Sequence, residues 1–299
     1  MRLSSLHLLL TYQCTLECDH CFVWGSPWQT GTMTLENIRH ILQQASNLGT
    51  VESIYFEGGE PFLYSAILLK AARMAVRLGF QVGIVSNAYW ATSVEDALEW
   101  LSPFAGSIQD LSISSDVYHS GALLSRQAQN ARAAADVLGI SIGVISIAQP
   151  ETTNAALAVG QLPAGASAVM YRGRAADRLV AQADRQPWTQ FAECPHEDLR
   201  EPGRVHLDPL GNLHICQGIS LGNIFRTPLS EICETYALDT HPITGPLLEG
   251  GPAELVRRYG LPHEESYADA CHLCYTARRA LRARFAESLV PDQMYGVIG

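Results

Sequence analysis

The sequence predicts an α/β protein: a parallel sheet of six strand–helix units followed by a smaller α+β unit. Three observations predict it. Short apolar runs alternate with helical stretches over residues 1–183. Each run is followed by cysteine, glycine or polar residues, as on the C-terminal rim of a barrel-type sheet, where chemistry sits. From about Asp184 the composition changes, and Pro209-Leu210-Gly211-Asn212 between two short runs reads as a hairpin turn.

Residues 5–10 read as the first strand and end at Cys14-Thr15-Leu16-Glu17-Cys18-Asp19-His20-Cys21. Thr34 caps a helix whose apolar positions Leu35, Ile38, Ile41, Leu42, Ala45 and Leu48 recur at helical spacing, and Gly49 closes it. Strand 53–56 runs into Glu57-Gly58-Gly59-Glu60-Pro61. Helix 65–78 stops at Gly79, and strand 80–85 meets Ser86-Asn87-Ala88. Helix 94–101 leads to strand 110–113 and Ser114-Ser115-Asp116. An alanine-rich helix, 122–138, leads through Gly139 to strand 140–147. A sixth strand, 168–171, ends in Arg172-Gly173-Arg174. Beyond it, residues 184–299 form the second unit, with strands 205–208 and 213–216 and helices 229–236 and about 265–286. About that length of chain has difficulty building a large core alone, and four cysteines are its expected staple.

The bulk numbers exclude several classes. With 299 residues, 47% apolar and 17% charged, the chain is ordinary globular material without repeats or low-complexity tracts. A net charge of -10 argues against non-specific binding to nucleic acid or anionic lipid, though a local basic pocket is compatible with it. No apolar stretch reaches the length of a membrane span, and residues 6–10 are too short for a signal-peptide core. The expected location is cytoplasmic. In that reducing compartment eight cysteines read as metal ligands.

Cys14, Cys18 and Cys21 are one thiolate short of a closed tetrahedral zinc site. They suit a cubane iron–sulfur cluster with one iron left open, a structural zinc site being the alternative. Two residues without Cβ, Gly58 and Gly59, let backbone approach a ligand closely, and Pro61 fixes the exit of the chain; a plain strand-to-helix turn is the other reading. Cys194, Cys216, Cys271 and Cys274 fit four-cysteine zinc on spacing alone. Cys233 lies on an amphipathic stretch, where a cysteine is usually a buried inert thiol. Arg172 and Arg174 present guanidinium forks for a carboxylate or phosphate, or surface salt bridges. His119 is a candidate base or a polar residue at a helix start. Ser86, Ser114 and Asp116 serve as helix caps or as ligand contacts.

Cys14-x3-Cys18-x2-Cys21 at the end of the first strand, with Gly58-Gly59-Glu60-Pro61 at the end of the second, resembles the radical S-adenosylmethionine superfamily over roughly residues 1–180. The resemblance implies a partial (β/α)6 TIM-like barrel and a [4Fe-4S] cluster on the three cysteines, its open iron chelated by S-adenosylmethionine. One electron then cleaves the sulfonium to methionine and a 5′-deoxyadenosyl radical that abstracts hydrogen. His20 stands where relatives place an aromatic residue near the adenine. Gly58, Gly59, Glu60 and Pro61 are implied to receive the ammonium group, and Ser86, Ser114 and Asp116 the ribose.

Gly211-x4-Cys216, with Cys194 before it and Cys271-x2-Cys274 after it, resembles the cysteine-rich extension called SPASM in its short, twitch-like form. The full pattern has further cysteines after the CxxC pair; none follows Cys274. One auxiliary [4Fe-4S] cluster on Cys194, Cys216, Cys271 and Cys274 is therefore implied, closed by four thiolates and acting in electron transfer or in shaping the site rather than in binding substrate. The expected activity is a radical oxidoreductase acting on a small molecule or a peptide and served by an electron donor such as flavodoxin or ferredoxin. Cys14 stands so early that no leader-binding domain is expected before the core, and a peptide substrate then needs a separate recognition partner. The alternatives are a redox-neutral epimerase with Cys233 as hydrogen donor, a ribosomal-peptide maturase, and a non-catalytic iron–sulfur or zinc scaffold.

Overall fold

Period-two alternation decides the first strand, β1 (Ser5–Thr11): Leu6, Leu8 and Leu10 enter the core under the helices, while His7 and Leu9 face the other side of the sheet. The structure, a computed structural model, describes residues 1–297 except Leu123, Gly160, Gln161 and Pro163. Parallel to β1 run β2 (Ser53–Gly58), β3 (Gln81–Ser86), β4 (Asp110–Ser114), β5 (Ser141–Ile147) and the two-residue β6 (Ala166–Ser167), each paired to the one before. A separate small ladder joins β7 (Gln186–Pro187) to a later two-residue strand, Ser266–Tyr267.

Helices α1 (Leu35–Leu48), α2 (Ser65–Arg77), α3 (Val94–Leu101), α4 (Val117–Ser120), α5 (Arg126–Leu138) and α6 (Pro150–Val159) connect these strands. Thr34 caps α1 through a reciprocal bond with Asn37, and Gly49 ends it in the left-handed conformation. Ile38, Ile41 and Leu42 are fully buried against the sheet, each contributing about 1.5–3 kcal/mol. The alanine face of α5 lets it pack closely on the same core. That helix starts at Arg126, capped by Ser125, rather than at 122, because Asp116 opens the separate short turn of α4 and Gly121 closes it. Leu123, inside the expected helix, lies outside the described residues.

The expected sixth strand at 168–171 is not a strand. The β5 edge is paired by Ala166–Ser167 instead, and residues 168–171 turn so that Val169 and Tyr171 pack with Ala175 and Leu179 of the α7 region (α7, Ala175–Arg178). β8 (Arg204–Leu207) lies parallel beside β1, followed by antiparallel β9 (Asn212–Cys216) and β10 (Ile219–Asn223). The compositional boundary at residue 184 thus does not interrupt hydrogen bonding: strands from both sides form one nine-stranded sheet, in the order β10-β9-β8-β1-β2-β3-β4-β5-β6. Its ends are not joined, so the TIM-like barrel stays partial.

After β10 come α8 (Leu229–Thr235), α9 (Thr244–Tyr259), the strand β11 already met at Ser266–Tyr267, and α10 (Ala270–Leu281). α9 went unread because Gly250-Gly251-Pro252 breaks its periodicity; the two glycines leave helical geometry there. Gly251, at φ +64°, gives passage to the backbone of residues 191–193, which a Cβ would meet at 2.3 Å. The chain is thereby steered to Cys194. The helix expected over 265–286 is shorter, since Asp269 caps it by accepting from the His272 amide. No helix among the described residues is long and apolar enough to cross a membrane.

Candidate active site and its two cysteine groups

The loop after β1 has its backbone bonds met by three other segments. Gly59 N–H donates to Thr11 O at 2.7 Å and Glu60 N–H to Gln13 O at 2.8 Å; Cys14 N–H donates to Ser26 O. Arg174 completes the loop: its guanidinium donates to Cys18 O at 2.7 Å and Gly25 O at 2.8 Å, and its amide to Cys21 O. Gly58 and Gly59 are required by contact, because a Cβ on Gly59 would sit 2.0 Å from Gln13 O and one on Gly58 2.4 Å from Thr11 O.

Cys14, Cys18 and Cys21 line one cavity of about 440 Å³, within the range of small-molecule pockets. Gly58, Gly59, Ser86, Ser114, His20, His119 and Arg172 share it. Three N–H groups point at sulfur: Leu16 N and Asn87 Nδ2 at Cys14 Sγ (3.4 and 3.6 Å) and Gly25 N at Cys21 Sγ (3.2 Å). Donors arranged around free thiols are what bound thiolates need. Burial without a metal pushes the Cys14 thiol up to about 12. The donor set therefore fits a cluster with an open iron.

Several expected contacts differ. Glu60 does not face the cavity; its carboxylate is fully buried and accepts from Phe62 N, Ser86 Oγ and Asn87 N. Only the glycine backbone of the Gly58–Pro61 turn reaches the cavity, while Pro61 starts the short helical turn behind it. Burial raises Glu60 to about 7, against those three hydrogen bonds. Asp116 is an N-cap, with Oδ1 accepting from Tyr118 and His119 amides and Oδ2 from Ile147 N, so it holds β4, α4 and β5 together. It also binds His119 Nδ1 at 2.7 Å. Burial lowers His20 to about 4, leaving a neutral ring 4.8 Å from Tyr118 and 5.0 Å from His119.

Arg172 and Arg174 are not at the surface. Arg172 donates to Cys216 Sγ at 3.0 Å and to Glu197 at 3.1 Å, and its guanidinium lies 5.6 Å from the Phe22 ring. Cys233 is buried on α8 among core residues facing α1 and lines neither cavity, so no substrate there meets its thiol.

Cys194, Cys216, Cys271 and Cys274 line a second, smaller cavity with Arg172, Arg278 and His196. Cys271 and Cys274 share one face of α10, three residues apart, and Arg278 continues that face one turn later. Arg278 is buried and donates to Gln217 O at 2.7 Å. Burial pushes Cys274 up to about 11, with Arg278 pulling the other way. None of the eight cysteines is in a disulfide. Four free thiols converging beside two guanidinium groups fit a closed anionic metal centre.

Some residues at the first cavity went unread: His7 on β1, Tyr55 and Glu57 on β2, His206 on β8, Gln217 after β9, and Asn87. His7 Nδ1 lies 3.3 Å from Glu57 Oε2 and His206 Nε2 lies 3.0 Å from Glu57 Oε1. Asn87 had a signal, since it follows Ser86 on the rim. The histidines had none, being 199 positions apart in strands read for their apolar residues.

Residues 8–114 match the Radical SAM superfamily. YydG of Bacillus subtilis (strain 168), whose name assigns it to peptide biosynthesis, is 30% identical over 128 residues, which is 42% of this chain and 40% of that protein. The chain thus spans under half the length of that relative. Among solved structures, BtrN in complex with AdoMet and 2-DOIA has a TM-score of 0.51 at 16% identity, with 92% of each chain covered. anSMEcpe with bound AdoMet has a TM-score of 0.52 at 13% identity, covering 95% of this chain and 98% of that one. At such identities the likeness is one of fold. Residues 8–114 thus carry the Radical SAM superfamily match, and the chain as a whole shares the fold of these AdoMet-bound enzymes.

Proposed function

We propose that the chain is a cytoplasmic radical S-adenosylmethionine oxidoreductase, with a cluster on Cys14, Cys18 and Cys21 and one auxiliary [4Fe-4S] cluster held by residues 184–299. The observation that carries this reading is the adjacency of the two cysteine groups: Arg172 lines both cavities and bonds to Cys216. When bound, S-adenosylmethionine and its cluster supply a radical that removes a hydrogen atom from the substrate. The Gly58 and Gly59 backbone receives the cofactor, with Ser86 and Ser114 beside it. His119 accepts the proton: Asp116 holds Nδ1 at 2.7 Å, which fixes the tautomer and leaves Nε2 for the cavity. A cluster held by Cys194, Cys216, Cys271 and Cys274 would supply the acceptor for the remaining electron. A flavodoxin or ferredoxin serves as reductant.

The substrate is a small molecule or a peptide, and the name of the Bacillus subtilis relative favours a peptide. Anaerobic reconstitution with iron and sulfide, followed by dithionite and S-adenosylmethionine, is expected to yield 5′-deoxyadenosine. A Cys14/Cys18/Cys21→Ala variant makes none and keeps one cluster's worth of iron and sulfide. Deoxyadenosine from that variant refutes the first site; zinc alone remaining in it refutes the second.

A further inference from the structure

His7, Glu57 and His206 form a constellation that the reaction above does not use. β2, β1 and β8 are neighbours in the sheet, and His7 stands in register with both Tyr55 and His206. Glu57 lies two residues beyond Tyr55, so period two turns all three side chains to the same face, toward the cavity. Their donor atoms lie within 4.8 Å of one another. Two donors about 2.1 Å from a common cation at about 90–109° stand about 3.0–3.4 Å apart; the two imidazole–carboxylate separations here are 3.3 and 3.0 Å.

A hydrogen-bonded triad without a cation leaves two atoms unexplained. His206 Nε2 lies 3.0 Å from Glu57 Oε1 as an ion-pair contact, and His7 Nδ1 takes the other oxygen, so Oε1 is the buried carboxylate atom with room for a further partner. The amide oxygen of Gln217, also buried, has no partner, while its amide nitrogen sits 3.4 Å from His206. Two such acceptors beside one imidazole call for a positive centre. No lysine or arginine supplies it among the described residues: the only ion-pair partners of Glu57 are the two histidines. Arg204, which lines the same cavity, turns to Glu197.

Two other groups bring ligand-type atoms together and are weaker candidates. In His20–Asp116–His119 the carboxylate is already occupied by backbone amides. In His196–Asp269–Cys271 the thiol belongs to the second cysteine group.

We propose that His7, Glu57 and His206 bind a divalent first-row cation, with the Gln217 side chain beside His206 and the open positions facing the cavity. Two imidazoles and a carboxylate suit zinc, manganese or ferrous iron. The exogenous ligand is an oxygen of the substrate, such as a hydroxyl, carbonyl or carboxylate, so the cation orients the substrate in the cavity shared with the cysteine loop.

The test uses anaerobic holoenzyme with both cysteine groups reconstituted, cleared of loose metal by a chelator and dialysed against zinc chloride. One zinc per chain is expected, and X-ray absorption at the zinc edge is expected to show nitrogen and oxygen neighbours at about 2.0–2.2 Å and no sulfur. Glu57→Gln, His7→Ala and His206→Ala each weaken zinc binding at least tenfold with iron and sulfide unchanged. Zinc with sulfur neighbours, zinc held equally by the variants (an adventitious ion only) or no retained zinc overturns the proposal. Glu57→Gln keeps side-chain size; its zinc-free melting curve should match wild type, and only wild type should melt higher with zinc. Neither readout involves turnover, so failure to form deoxyadenosine leaves this result standing, and the converse.

Discussion

Cys14, Cys18 and Cys21 face a cavity of about 440 Å³ whose other walls include glycine backbone, neutral hydroxyls and imidazoles. Cys194, Cys216, Cys271 and Cys274 face a smaller one walled by Arg172, Arg278 and apolar side chains such as Leu199, Ile219 and Leu247. The sulfurs of the first group are approached by neutral N–H donors, whereas Cys216 accepts from a guanidinium. The difference teaches how one chain separates two roles. Three thiols with space beside them leave room for an exchangeable ligand, whereas four thiols beside two buried guanidinium groups suit a closed anionic centre of the kind proposed above.

The strongest way to break this comparison is to remove the second set. Cys271→Ala with Cys274→Ala should halve the iron, leave deoxyadenosine formation in place and abolish the oxidised product. Product from that variant, measured by mass spectrometry, would leave the second centre without an electron-transfer role.

A smaller effect sharpens the contrast in charge. Arg172→Gln strips the cation from Cys216 and leaves the partly buried Glu197 with Arg204, 3.9 Å away, as its remaining partner. Breaking a fully buried pair costs about 3–5 kcal/mol, and because Glu197 keeps Arg204 the loss here should fall below that range, as read from denaturant midpoints. The potential of the second cluster should move more negative, because its charge is then less well offset, while that of the first should shift less.

The smallest effect concerns the carboxyl behind the first cavity. Folded Glu60 releases its proton near pH 7 rather than at the ordinary 4.5. The folded chain therefore binds an extra proton between these values. Its contribution to stability is full below about pH 4.5 and is lost as the pH rises to about 7, amounting to at most about 3 kcal/mol. Unfolding midpoints of wild type against Glu60→Gln across pH 4–8 should show that slope in wild type alone.

Local rules carried much of the fold. Thr34 and Gly49 bound α1 where capping chemistry puts them, and each strand of β1 to β4 ends at the unusual residues that mark the rim. The rest depended on contacts between distant segments. Nothing in residues 204–207 says that they pair beside residues 5–8; only the assembled sheet brings His206 to His7. Asp116 and Glu60 read as ligand contacts because both follow strands, yet the amides that claim them belong to neighbouring segments. Residues 168–171 are apolar enough for a strand, but the side-chain cluster with Ala175 and Leu179 wins over β pairing. Arg172 reads as an exposed fork until Cys216, 44 residues later, is folded against it.

Arg172-Gly173-Arg174 touches both centres within three residues. Arg174 closes the first cysteine loop from 156 positions away, and Arg172 reaches the sulfur of the second group. Between them Gly173, at φ +61°, lies against Phe22 and Cys21, where a Cβ would come within 2.5 Å of backbone. Neither cysteine group is finished until this tripeptide docks, so clusters held as proposed above would be loaded after collapse of the whole chain rather than on the emerging N-terminus. A defect at Gly173 would surface as a maturation fault in both centres at once.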